Sequence, residues 1–429
     1  MADLLGLSAR IIDEGITDEP VNRVTQELSE ITDSLAVVES FSHVITLRTA
    51  EGLVCFDTSS YRTGPAVVEA IRTWSTEPFR TLVYTHGHVD HVGGSGVFLA
   101  DARRRGGERP TVVGHEAVLD RMDRYELTNG YNVTVNARQF GGSRGGAALG
   151  LGRSDRFLPD DAARPDTIVG DHRHLELAGT TIELRHARGE TDDHLWAWLP
   201  QHRAICSGDF LIWNFPNAGN PQKVQRYPLE WAAALRNMIA VEPELLLPAH
   251  GLPIAGRERI AGVLDDVATA LEKLVSDTLW LMNEGEPLDR IVHTVRVDPD
   301  LLAKPYLRPL YDEPEFVVRN IWRLYGGWYD GNPSRLKPAA DSAFASEMAA
   351  LTGGVGPLID RARALSEKGD HRLACQVIEL AVQAAPEDRE AHGARAEIYD
   401  DRRRTETSLM AKGLYGWAAR QSREVAGDG

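Results

Sequence analysis

Between residues 33 and 260 the chain alternates short apolar runs with turn signals and helical stretches, the rhythm of a layered α/β fold. Residues 44–47 and 53–56, joined at Ala50-Glu51-Gly52, predict an antiparallel hairpin. Residues 67–74 predict a helix, 81–84 a strand, and 111–113 another strand ahead of a helix over 116–124. From Asn129 to Asp166 the rhythm loosens. This stretch is rich in Gly, Asn and Arg, with Phe140-Gly-Gly-Ser-Arg-Gly-Gly and Leu149-Gly-Leu-Gly, and it predicts a long functional loop. Neither glycine cluster follows a strand and opens a helix, so a dinucleotide fingerprint is not indicated. Strands resume over 175–177, 181–184, 196–199, 204–206 and 245–247. Beyond Gly262 the pattern turns helical. A proline-marked bridge (Pro299, Pro305, Pro309, Pro314) leads to an aromatic run at 322–329, and residues 357–425 predict three or four amphipathic helices. Ala385-Pro-Glu-Asp388 resembles a tetratricopeptide turn, but one or two repeats suit an auxiliary helical layer better than a free solenoid. The expected division is an N-terminal arm over 1–32, a catalytic α/β domain over 33–262 and an all-α domain over 263–429.

Composition narrows the function classes. Sixty-three acidic against 47 basic side chains leave a formal charge of −16 over 429 residues, which argues against a nucleic-acid partner. The dense basic runs, Arg103 to Arg105 and Arg402 to Arg404, read as solvated helix faces. No apolar run reaches the ~18–20 residues needed to cross a bilayer. The N-terminal residues lack a signal-peptide pattern, so a soluble cytoplasmic protein is expected. Cys55, Cys206 and Cys375, odd in number and far apart, read as small buried hydrophobes in a reducing compartment.

Thr85-His86-Gly-His88-Val-Asp90-His91 carries the chemistry. In an extended loop, period-two spacing puts His86, His88 and Asp90 on one side, while His91 turns toward an adjacent point. Two metals a few ångströms apart suit this better than one. Imidazoles and carboxylates are a ligand set for catalytic zinc, with manganese and iron as other occupants. Further ligands are expected at Glu190, Asp209 and His250, each following a core strand, at the rim where such folds build sites.

These residues resemble the metallo-β-lactamase superfamily, whose hallmark H-x-H-x-D-H is followed by ligands on later strand ends. Glu190 in Gly189-Glu190-Thr191, nineteen residues before Asp209, is similar to the alkyl sulfatase branch. Tyr131-Asn132-Val-Thr-Val, the glycine-rich segment at 140–152 and Tyr325-Gly-Gly-Trp-Tyr-Asp-Gly-Asn-Pro333 look like that branch too, the last like its dimerisation signature. The resemblance implies an αββα sandwich followed by helical dimerisation elements. It implies two Zn2+ ions, one on His86, His88 and Glu190, the other on Asp90, His91 and His250, with Asp209 as the bridge. Two divalent ions against three carboxylates leave about +1, which one bridging hydroxide brings to about zero; a histidine at 190 would leave one unit more.

The implied reaction is hydrolysis of a small anionic ester, a sulfate ester first, by a metal-bridging hydroxide that Asp209 orients, with Asp90 in the same machinery. Tyr131 and Asn132 are candidate substrate donors. Where the branch carries Asn-Leu-Tyr-Thr-x-Arg-Gly, this chain has Asn217-Ala-Gly-Asn-Pro-Gln222-Lys223. Gln222 stands at the arginine position, so Asn217 with Lys223 or Arg226 is the candidate anion grip. His194 reads either as a proton donor to the leaving group or as a satisfied structural histidine; His43, His115 and His186 read as structural. Rival readings are a metallo-hydrolase of carboxylic esters, thioesters, lactones or phosphodiesters, and a dimeric scaffold without activity, against which the full ligand set weighs. A homodimer is expected, because the aromatic run at 322–329 is too apolar for water.

Overall fold

The structure is a computed structural model describing residues 2–140, 156–177 and 179–427. The glycine-rich substrate loop expected at 140–152 lies outside the described residues from 141 onward. Short apolar runs pair into two sheets. The first has the order β1 (Leu28–Glu30), β2 (Leu35–Val38), β3 (Val44–Thr49), β4 (Gly52–Phe56), β5 (Phe79–Val83), β6 (Thr111–His115) and β7 (Thr167–Val169). Its first four strands form an antiparallel meander, with the predicted hairpin as β3 and β4, and β4 to β7 are parallel. The second comprises β8 (His172–Leu177), β9 (Thr180–His186), β10 (Leu195–Leu199), β11 (Ala204–Gly208), β12 (Leu245–Pro248) and β13 (Ile254–Ala255), antiparallel except for β11 and β12.

Leu47, Val54, Phe56 and Val83 from the first sheet meet Ile182, Leu184, Leu199 and Leu247 from the second in one dry layer. The outer faces are apolar as well, so each needs a helical cover. On the first sheet, α2 (Gly64–Trp74), α4 (Ser95–Arg104) and α5 (Ala117–Leu127) supply Val67, Ile71, Phe98 and Met122; the one-turn α3 (Val89–Val92) lies between α2 and α4 in the chain. On the second, α7 (Pro228–Ala240) and α8 (Arg257–Asn283) supply Trp231, Leu235, Leu264 and Leu271. The result is the expected αββα sandwich.

Three features differ from the sequence reading. The N-terminal arm folds: Leu4 and Ile11 of α1 (Leu4–Glu14) join the core behind the second sheet. Residues 129–139, expected within a loop, form α6 (Asn129–Gln139). Its polar side chains bond back one turn, Asn132 to the Thr128 carbonyl at 3.0 Å and Thr134 to that of Gly130 at 2.9 Å, while Val135 is buried. The seam between compact units falls near residue 327 and not at 262. Helices α9 (Leu288–Thr294), α10 (Pro299–Leu302) and α11 (Pro314–Gly326) belong with the sandwich, Val317 and Ile321 sharing its core.

The second unit comprises residues 135–140 and 328–427 among those described. Its helices are α12 (Asp341–Thr352), α13 (Gly356–Glu367), α14 (His371–Ala384), α15 (Arg389–Thr405) and α16 (Leu409–Ala426), packed around Leu358, Ile359, Ala362, Ile378, Ala394 and Ile398. The predicted turn at 385–388 joins α14 to α15, and the Asp388 side chain caps α15 by accepting from the Ala391 amide at 3.0 Å. No helix among the described residues is long and apolar enough to cross a membrane.

Leu47 is fully buried in the layer between the sheets. Leu47→Ala is therefore expected to lower stability by about 2–5 kcal/mol, read as a lower urea midpoint with an unchanged slope; an unaltered midpoint would contradict the packing described.

Candidate metal centre

The seven expected ligand residues leave the ends of four strands. His86 follows β5, and His88, Asp90 and His91 sit on the turn into α3 and on α3 itself. Glu190 lies between β9 and β10, Asp209 directly after β11 and His250 after β12. The distances draw them into two groups with one shared carboxylate. His86 Nε2 and His88 Nδ1 converge at 2.9 Å, and His88 Nδ1 lies 3.5 Å from Glu190 Oε1. On the other side, His250 Nε2 and His91 Nε2 lie 3.5 and 3.6 Å from Asp90 Oδ2. Asp209 faces both: Oδ2 is 3.8 Å from His86 Nε2, and Oδ1 is 3.4 and 3.5 Å from His91 and His250 Nε2.

The donor set fits divalent cations. His91 Nε2 and Asp209 Oδ1 are buried with no hydrogen-bond partner, an arrangement that costs free energy unless something positive binds them. Burial holds His86 and His88 well below the usual imidazole pKa, so both keep a lone pair to give. Burial works against a charge on His91, but Asp209, Asp57 and Asp90 outweigh it and raise its pKa. Burial likewise opposes the Asp209 anion, and His91 and His250 prevail, keeping it ionised. Glu190 is pushed up to about 7 by burial, with Arg226 pulling the other way.

A second ring of side chains orients these groups. Asp57, at the end of β4, accepts from His91 Nδ1 at 2.8 Å and from the Thr85 amide and hydroxyl at 2.7 and 2.8 Å; this fixes the His91 tautomer and turns Nε2 inward. Asp193 accepts from the Gly87 amide at 3.0 Å and from Arg121 Nε at 2.7 Å, bracing the His-x-His turn. Gly208 adopts a left-handed φ of 54°, and a Cβ there would stand 2.6 Å from His194 Nε2 and 2.8 Å from Thr85 Cβ, so only glycine lets the chain pass before Asp209.

The other expected residues divide. Arg226 is buried, donating to the Glu190 carbonyl at 2.8 Å and standing 2.7 Å from its Oε1; Asn217 donates to the same oxygen at 2.5 Å. Both hold Glu190, and the third candidate, Lys223, stands apart from that pairing. That side chain is half-buried, 5.3 Å from the Phe157 ring centroid, and close enough to Asp90 and Glu190 to feel their charge; burial pulls its pKa down to about 8. His194 follows the structural alternative. Its Nε2 accepts from the Asp209 amide at 3.1 Å, its ring stacks on Phe210 at 4.1 Å, and burial lowers it to about 3, so it stands as a neutral imidazole with Nε2 already engaged. Tyr131 is exposed on α6 and Asn132 gives its amide hydrogens to Thr128 within its own helix turn. His43 donates to the Gly251 carbonyl at 2.7 Å, and His115 stacks on His186 at 3.8 Å, as structural histidines would.

Sequence reasoning missed Asp57, Asp193 and Tyr311. Asp57 had a signal, an acid at the end of a core strand like Asp209. Tyr311 had none; it lies within the proline-marked bridge, between Pro309 and Pro314, yet burial and the charges of Glu190 and Asp90 hold its phenol well above the usual pKa.

Helix α11 steadies the segment that carries Asn217, Lys223 and Arg226. Asn320 Nδ2 donates to the Arg226 carbonyl at 2.9 Å, Gln225 Nε2 donates to Asn320 Oδ1 at 2.9 Å, and the Gly219 amide donates to Asp312 Oδ2 at 2.6 Å.

Comparison with known proteins adds the family. Residues 37–250 match the metallo-beta-lactamase superfamily and residues 288–425 match alkyl sulfatase dimerisation. Among similar curated proteins, a linear primary-alkylsulfatase of Pseudomonas sp. is 27% identical over 88% of this chain and 72% of its own. An (R)-specific secondary-alkylsulfatase of Pseudomonas sp. is 25% identical over 81% of this chain and 55% of its own, so the chain spans little more than half of that relative. The solved structure of the inverting sec-alkylsulfatase Pisa1 from Pseudomonas sp. shares the fold with a TM-score of 0.82 at 22% identity, covering 93% of this chain and 66% of that one. With both parts of the fold matched in order, the chain belongs to the metallo-beta-lactamase superfamily, in its alkyl sulfatase-like branch.

Proposed function

We propose that the chain hydrolyses a sulfate ester at a centre of two divalent ions, zinc first, with His86, His88 and Glu190 on one side, Asp90, His91 and His250 on the other, and Asp209 shared. The observation that carries this reading is Asp209, whose two oxygens face imidazoles of both groups. The sulfate preference draws on the named activities of the relatives. Such ions, when bound, lower the pKa of coordinated water toward neutrality and polarise the ester oxygen.

The protein's own groups do the rest. Asp57 keeps His91 in one tautomer, His194 holds the Asp209 amide from behind, and Arg226 with Asn217 fixes Glu190. Lys223 provides the cation for the sulfate oxygens in place of the missing fork of an arginine; its compact ammonium grips one or two oxygens without bidentate geometry. Gln222 keeps a second reading alive, that of an ester with a less charged head group. The exposed Trp328, Tyr329 and Tyr325 support pairing of two copies through the dimerisation region.

The deciding experiment combines elemental analysis with chromogenic sulfate, phosphate and carboxylic esters. Two divalent ions per chain and turnover highest on the sulfate are expected, both lost in Asp209→Ala while far-UV circular dichroism is retained; preference for an acyl or phosphate ester would replace the sulfate reading. Lys223 gives a pH signature. Its depressed pKa means the cation is present below about 8 and lost above, so KM for the sulfate ester should rise as pH passes that value while kcat changes less. Lys223→Arg should remove this limb, and Lys223→Ala should raise KM by roughly 10- to 100-fold at pH 7, the worth of one charge-assisted hydrogen bond. Sedimentation at micromolar concentration should give twice the 47.3 kDa chain mass.

A further inference from the structure

Outside the residues of the centre just described, the edge of the second sheet carries another convergence of donors. β8 is the outermost strand, and His172 and His174, two residues apart, project from the same face. Across the ladder His174 is paired directly with Glu183 of β9, and His172 with Arg185. One nitrogen from each imidazole and one oxygen of Glu183 lie within 4.8 Å of one another, and the imidazole centroids are 4.4 Å apart at 86°. Arg185 donates to Glu183 Oε2 at 2.7 Å while its guanidinium lies over Trp196, 5.0 Å from the ring centroid. The carboxylate is thereby anchored, with Oε1 left to serve as the third donor.

From this geometry we propose a separate transition-metal site on His172, His174 and Glu183, of the kind that takes Zn2+ or Cu2+. Two neutral imidazoles and one carboxylate are borderline donors suited to these ions over Ca2+ or Mg2+. Both histidines are exposed, so rotation about their side-chain bonds can close the spacing to the about 3.3 Å that neighbouring ligands of a tetrahedral ion at ~2.0–2.1 Å require. The remaining positions face water. An ion here joins the outermost strand β8 to β9 by side chains as well as by the ladder. The site owes nothing to Asp209 and stands whether or not the sulfatase reading holds.

The test uses the full chain after dialysis against micromolar Zn2+ or Cu2+. Wild type is expected to bind one ion more than the double variant His172→Ala/His174→Ala, whose content at the inner centre is unchanged. Asp209→Ala keeps the additional ion, which separates this site from the inner centre. With Cu2+, the additional ion should show nitrogen hyperfine splitting from two imidazoles in its electron paramagnetic resonance spectrum. Glu183→Gln should weaken the binding. Equal ion content in wild type and the double variant, or a copper signal without nitrogen splitting, overturns the assignment.

Discussion

The arrangement rests on one carboxylate. Asp209 stands at the end of β11 with an oxygen toward each group of imidazoles, and burial makes its negative charge costly unless those groups answer it. That demand explains the surroundings. A left-handed glycine places it, the His194 ring receives its amide, and Asp57 turns His91 to face it. Each of these groups is buried or has no room for a larger neighbour, so the sandwich core and the charged centre are one construction. The dry layer between the sheets fixes the strand ends, and the strand ends fix the donors.

The site also separates tasks that a list of conserved-looking residue types would merge. Of the two basic residues available after the aligned arginine position, Arg226 faces inward to Glu190 and Lys223 stays beside the charged centre. A guanidinium with a planar fork suits the buried carboxylate. Arg226 is buried against Glu190, while Lys223 is half-buried with its ammonium 5.3 Å from the Phe157 ring centroid.

Much of this was legible in the sequence because the relevant signals are local. His86, His88, Asp90 and His91 fall within six consecutive positions after an apolar strand, and the hairpin at Ala50-Glu51-Gly52 and the turn at 385–388 carry their own backbone chemistry. What was not legible depends on tertiary partners. Asn129–Gln139 looks like a loop by composition, yet it forms a helix whose Asn132 and Thr134 side chains bond back one turn while Val135 is buried. The unit boundary could not be read from a shift to helical composition, because Val317 and Ile321 share the sandwich core. The roles of Arg226, Asn217 and His194 hinge on which neighbour each meets, and spacing along the chain does not encode that.

Asn320 has a consequence for how such a protein could change over time. It lies on a helix inside the region matched to alkyl sulfatase dimerisation, and its amide supports the backbone of Arg226, which in turn supports Glu190. A helix of the segment matched to dimerisation and the strap that holds Glu190 are therefore mechanically one piece. A mutation that tilted this helix would be felt at Glu190, so the helix and the strap beneath it must drift together or not at all.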